Sequence, residues 1–429
     1  MDTPTPAALA ATPGGPPKDR DHHRAPDNKF SLKAFLSYGF RPFFLLSCLF
    51  AALSMFAWLA WIGIHAAGGA VRSMTIAMAP HQWHAHEMLF GYALGVIAGF
   101  FLTAVPSWTG SKPVSGQVLG GLVTVWLLGR MAFLFSAYLP PLAVAAADLA
   151  FVPCLLALVL RALLNKWSKR NLIFLPILTA VFAANLMTHL DFTDLAPGFM
   201  ETGTMLGLNA VVLLIVVLGG RVVPAFTTNA LRRAGEERFP VSRTPVEMAS
   251  ILSMAFLVVA EITVPEGPIA GTLALFAAAA NGVRLAGWRG HKVLDQPILW
   301  IIHLAYAWLV VGLAFKGAAH FELISQATAL HVLTVGAVGS MTLGVMTRAG
   351  LGHTGRSLRV SPWVTTAYIL ISLSAAVRVA VPPLIPQYYN EGMLVAGVAW
   401  MLAYTFVTLV YWPILTRPWQ RPGGEETTA

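Results

Sequence analysis

The chain has 429 residues, 57% of them hydrophobic and 11% charged, with a mean hydropathy of +0.68. That balance excludes a soluble domain built on one large core and defines an integral membrane protein held in a lipid bilayer. The net charge of +9 is dispersed among short loops, so it reads as a topology signal and no nucleic-acid partner is expected.

Residues 1–34 are rich in Pro, Ala and charge and lack the apolar core of a secretory signal, which reads as a disordered cytoplasmic tail. Twelve apolar segments follow, at 40–64, 84–108, 116–137, 142–164, 172–190, 201–220, 246–264, 267–287, 297–317, 325–347, 362–381 and 391–416. Each is long enough to cross a bilayer as a helix. The expected fold is therefore all-α, a polytopic membrane domain over 35–416 followed by a cytoplasmic tail over 417–429.

Basic residues orient this array. With the N-terminus inside, 24 of the 28 Lys and Arg residues fall on the cytoplasmic side. Arg72 and Lys316 fall on the other side, while Arg130 and Arg378 lie inside apolar segments. Both termini are thus expected on the cytoplasmic side, the membrane being taken as the inner membrane of a bacterium. The two cysteines, Cys48 and Cys154, sit in apolar runs and read as buried small residues. No Cys-x-x-Cys pair occurs, so a haem could be held only non-covalently.

An internal repeat is visible. A shift of 245 positions superposes His86 on His331, Gly91 on Gly336, Gly99 on Gly344 and Thr109-Gly110 on Thr354-Gly355. A shift of 118 brings Val105-Pro106 onto Val223-Pro224 in the sixth segment, a weaker match. Three units of four helices, with helices 2, 6 and 10 equivalent, would explain both.

Histidine in apolar sequence is the chemical theme. His81, His84 and His86 cluster with Glu87 where the second segment begins, on the expected periplasmic side. Ionisable groups at such positions are costly unless they bind something or face a polar cavity. On a helix, His84 and His86 point about 200° apart and could serve two centres. An extended segment would instead place both on one side. His81 and His84, three apart, share a helical face. His189, His303 and His331 lie in later segments, and His353 follows the tenth. Imidazole suits copper and haem iron. Glu87 could orient a ligand imidazole or pass protons, and Asp148 and Arg130 could pair within the membrane. Arg130 could alternatively hold a haem propionate. Asn185 and Asn209 read as interhelical glue. The stretch Gly350–Arg356 reads as a cytoplasmic turn with a capping role.

Three stretches carry a resemblance: WHAHEMLFGYALGVIAGFFLTAVPSWTG from Trp83, GGRVVPAFTTN at 219–229, and HVLTVGAVGSMTLGVMTRAGLGHTGR from His331. They resemble the NnrS family, bacterial inner-membrane proteins of the nitric oxide response. The resemblance implies twelve helices, bound haem and copper, and nitric oxide as the small-molecule ligand or substrate. It maps the family's histidines onto His84, His86, His331 and His353, with His303 a further candidate, and does not divide them between iron and copper. The leading expectation is a haem-copper protein that binds nitric oxide and removes or reduces it, with Glu87 assisting proton delivery and an electron donor not specified. A non-catalytic protein handling nitric oxide or metal is the competing reading. A secondary transporter is weaker, because the prolines cluster near helix ends and not at mid-membrane.

Overall fold

The computed structural model describes residues 29–71, 73–166, 169–264 and 267–418. Among them, twelve helices are long and apolar enough to cross a membrane, and no strand occurs. These are α1 (Phe40–Ala66), α2 (Pro80–Thr109), α3 (Gly116–Leu134), α4 (Pro141–Asn165), α5 (Phe174–Phe192) and α6 (Met200–Arg233). They continue as α7 (Thr244–Thr263), α8 (Pro268–Ala286), α9 (Pro297–His320), α10 (Gln326–His353), α11 (Pro362–Leu384) and α12 (Pro386–Thr416). A chain this apolar has little choice, since in lipid each backbone N–H and C=O must be satisfied within its own segment. Even-numbered helices begin at the same end of the bundle, here termed upper; it is the end expected to be periplasmic.

Several boundaries move. α6 continues to Arg233 and α10 to His353, beyond the expected limits at 220 and 347. Hydropathy stops at the first arginines, whereas helical hydrogen bonding runs on past the lipid. The expected turn at Gly350–Arg356 is accordingly the last turn of α10 as far as His353. The chain reverses at Gly355, whose φ of +70° suits glycine, and Arg356 N–H bonds the Leu351 carbonyl at 3.0 Å. Residues Leu32–Phe35, the first three of which fall in the expected tail, form a helical turn capped by Ser31, whose N–H bonds the Thr416 carbonyl at 3.0 Å. Residues 1–28, Arg72 and residues 419–429 lie outside the described residues. Of the cysteines, Cys48 is buried but Cys154 faces outward, because the apolar run that holds it turns that face of α4 away from the bundle.

Three helices form the centre. In α2, α6 and α10, 83%, 78% and 72% of the apolar window is buried, against 28–56% in the other nine. These three touch one another, and the nine surround them. The outer ring closes through equivalent contacts: α4 with α5, α8 with α9 and α12 with α1. That is the arrangement expected of three four-helix units. The correspondence of α2 with α10 extends to detail. Each opens with a short α-helical stretch ending at His86 or His331 and widens into a π-helix, Glu87–Ala93 in one and Val332–Gly339 in the other. Each ends on a glycine with φ +70°, Gly110 or Gly355. Side chains from other helices use the loosened turns: Trp126 Nε1–H donates to the Gly91 carbonyl at 3.1 Å, and the Tyr404 hydroxyl to the Gly339 carbonyl at 3.0 Å. α6 has no such π segment, in keeping with its weaker sequence match.

Paired glycines set the helix spacing. A Cβ at Gly99 would lie 2.8 Å from the Phe44 ring of α1, and one at Gly344 would lie 2.8 Å from Ile302 of α9, so in both units the inner helix closes on the helix before it. Gly99→Val is expected to overpack this seam and destabilise the fold by about 1–3 kcal/mol. Thermal unfolding in detergent would show a lowered midpoint, with Gly121→Ala, where no atom lies within 4 Å, unchanged.

Candidate cofactor cavity and metal centre

The first turns of α2 separate two histidine-bearing environments at the upper end, a partly open cavity and a buried cluster. Pro80 opens the helix at its first position, where its fixed φ is already helical. Helical periodicity then sends His84 and His86 to different neighbours, one into a cavity and one into a packed cluster.

The cavity has a volume of about 450 Å3 and lies among α1, α2, α6, α10, α11 and α12. His81 and His84 line it from α2 and His331 from α10. The His84 ring stacks on Trp58, with centroids 4.7 Å apart and planes 11° from parallel, and its Nδ1 has no hydrogen-bond partner. His331 Nδ1 donates to the Ala327 carbonyl at 2.6 Å, which leaves the Nε2 lone pair available. Arg378 of α11 contributes a guanidinium, and Tyr92 and Trp400 add aromatic surface. Methionines 55, 88 and 393 complete a wall that is mostly apolar. Size, lining and a few convergent polar groups are those of a cofactor pocket.

The cluster is drier and tighter. His86 Nδ1 lies 3.0 Å from Glu87 Oε1, which also accepts from Arg130 Nη1 at 2.6 Å. Arg130 Nη2 pairs with Asp148 Oδ1. The other oxygen of Asp148 accepts from Asn185 Nδ2 at 2.8 Å and sits 2.9 Å from His189 Nε2 and 3.5 Å from His86 Nε2. All six side chains are buried. Local sequence makes the room. A Cβ at Gly91 would come within 2.7 Å of the Arg130 guanidinium. Pro153 lacks the N–H that would bond the Leu149 carbonyl, and α4 is interrupted at Ala150, beside Asp148.

Donor atoms of His86, Asp148 and His189 lie within 4.8 Å of one another, the sole such group of three among the described residues. Two carboxylates face one guanidinium here, so with neutral imidazoles the cluster carries an uncompensated negative charge in a low-dielectric setting. A cation would offset it. Glu87 accepts at His86 Nδ1, as a carboxylate commonly does behind a metal-bound imidazole, and Nε2 lies 2.9 Å from Asn185 Oδ1 and 3.5 Å from Asp148. His189 Nδ1 and Arg130 Nε have no partner. The cavity histidines form no comparably tight group. The cavity's volume suits a group with breadth, and the cluster suits a single ion.

Of the residues singled out from sequence, His81, His84 and His331 are brought together in the cavity, and His86, His189, Glu87 and Arg130 in the cluster. Arg130 is committed to two carboxylates and is absent from the cavity wall; the arginine on that wall is Arg378. His303 and His353 lie at the lower end. His303 Nε2 bonds Thr227 Oγ1 at 2.8 Å, and the His353 ring packs on Tyr38 and Phe40. Asn209 bonds Glu261, which Lys316 and His320 also contact at 2.8 and 2.9 Å, so Lys316 is buried near the upper end of α9. Arg378, placed by sequence only as a charge inside an apolar segment, lines the cavity, and Asp148, placed as a partner of Arg130, is also a candidate ligand. The available signal was the same for both, an ionisable residue inside an apolar helix.

Fold and site together define a polytopic membrane protein with two histidine-bearing centres, a partly open cavity and a buried cluster, at one end of its inner helices. Residues 34–419 match the family described as NnrS protein, and the chain belongs to that family. A search of curated proteins finds no match.

Proposed function

We propose that this protein binds haem in the cavity and copper in the cluster, and that it binds nitric oxide and removes or reduces it. One observation carries the reading: a single turn of α2 gives His84 to a cofactor-sized cavity and His86 to a three-donor ion site. Family membership supports it. Haem iron supplies a binding site for nitric oxide and exchanges single electrons, and copper adds a second one-electron centre.

The chain's own residues would act as follows. His84 and His331 would offer imidazole nitrogens to the iron from two inner helices, one of them giving way to nitric oxide. Trp58 holds His84 flat by stacking, and the Ala327 carbonyl holds His331 in the tautomer that can ligate. Arg378 would pair with the carboxylates of the macrocycle. In the cluster, His86, His189 and Asp148 present two nitrogens and one oxygen, a donor set that copper accepts. Glu87 and Arg130 fix the orientation of His86 and Asp148, and the surrounding phenylalanines exclude water.

Metal analysis with reduced-minus-oxidised absorption spectra, before and after nitric oxide, tests this. Purified protein made with haem and copper available is expected to contain both and to shift its haem spectrum with the gas. Protein with no metal and a featureless spectrum would sink the proposal. With excess reductant, consumption of more than one equivalent of nitric oxide would mark turnover; a single equivalent would favour the non-catalytic reading.

A further inference from the structure

A second void lies below the histidine cavity, between the three inner helices. Its walls include Val96 and Ile97 of α2, Leu214 and Ile215 of α6, and Met341 of α10, and its volume is about 70 Å3. Thr342 is its one polar lining residue. The hydroxyl of Thr342 is already engaged, 2.7 Å from the Val338 carbonyl, 3.0 Å from that of Gly339, and bonded to the Tyr92 hydroxyl. A buried water needs two to four polar partners, and none is free here. The void is therefore dry.

Its size selects the occupant. Apolar cavities of about 150 Å3 stay dry and take up benzene or xenon. At about half that volume, and open where Phe100, Leu218, Val222 and Val345 are only partly buried, this one has room for a monatomic or diatomic gas. Its position connects it to the site above: Ala93 lines both voids, and Tyr92, on the upper wall, is hydrogen-bonded to Thr342, on the lower. Toward the lower end its lining includes Phe100 and Val345, which are only partly buried.

We infer that this void is a binding site for a small uncharged gas, and that the gas passes from it to the histidine cavity by way of Ala93 and the Tyr92–Thr342 contact. The choice of nitric oxide as that gas rests on the proposed function; the apolar site itself does not. An uncharged diatomic needs no polar partner and dissolves in the bilayer, so a dry store on the axis of the inner helices raises its local concentration beside the cavity.

Xenon is the probe. Full-length protein in lipid nanodiscs is expected to show one saturable site by xenon NMR, lost in Leu214→Phe and Ile215→Trp, which fill the void. In the same variants nitric oxide should associate with the reduced protein about tenfold more slowly, with an unchanged final spectrum. Should either variant fail to fold, as judged by gel filtration, the milder Val211→Leu carries the test. Absence of saturable xenon binding by folded wild-type protein overturns the inference. So does an acyl chain occupying the void, or a wild-type association rate in filled variants. Saturable xenon binding in protein that takes up no haem keeps the gas site and removes the haem reading. A haem that binds nitric oxide in protein without a xenon site does the reverse.

Discussion

His331→Ala is expected to strip most of the haem from otherwise folded protein. The substitution removes one of two imidazoles offered from separate inner helices. Losing only an outer partner of a ligand typically costs about 10–100-fold in metal affinity, and loss of the ligand itself should exceed that. The haem absorbance per protein of the purified variant measures it. Added imidazole should restore part of that absorbance, because the cavity keeps its volume and its lining. His303→Ala and His353→Ala, at the lower end, should retain wild-type haem. His189→Ala should lower copper and leave the haem spectrum in place. Full haem occupancy in both His331→Ala and His84→Ala would remove these residues from the ligand set.

The second large effect is on stability. Arg130→Met leaves Glu87 and Asp148 buried without their shared cation, and an uncompensated buried charge costs about 3–5 kcal/mol. Thermal unfolding of the detergent-solubilised protein should therefore show a markedly lower midpoint than wild type. Adding Asp148→Asn to Arg130→Met removes one of the stranded charges, so the double variant should unfold at a higher temperature than Arg130→Met alone. A midpoint within error of wild type for Arg130→Met would show that the guanidinium does not hold the cluster together.

Much of this was legible in the sequence, for physical reasons. Apolar runs long enough for a bilayer can only be helices, so their number and order follow from hydropathy. The divergence of His84 and His86 follows from helical periodicity, and the pairing of α2 with α10 from recurring glycines. What sequence spacing hides is which helices meet. Arg378 and His84 belong to α11 and α2, and only the ring closure of the outer helices brings them to one cavity. The third donor of the candidate ion site, Asp148, comes from α4, one residue before the carbonyl that Pro153 leaves without its helical partner. His303 and His353 resembled His331 because a histidine in an apolar helix looks the same at either end. Helix direction alone distinguishes them: the start of α9 and the end of α10 lie opposite the start of α10.

The π-helical turns in α2 and α10 have an azimuthal effect. A π turn takes up an additional residue compared with an α turn, and each residue corresponds to about 100° of rotation. Everything upstream of Glu87 and of Val332 is thereby turned about the helix axis relative to the stretches that pack at mid-membrane. The bearing of His84 and His86 on one inner helix, and of His331 on the other, is set by these wide turns independently of the packing below. The lower halves can keep a regular, glycine-spaced seam while the upper turns aim their imidazoles elsewhere.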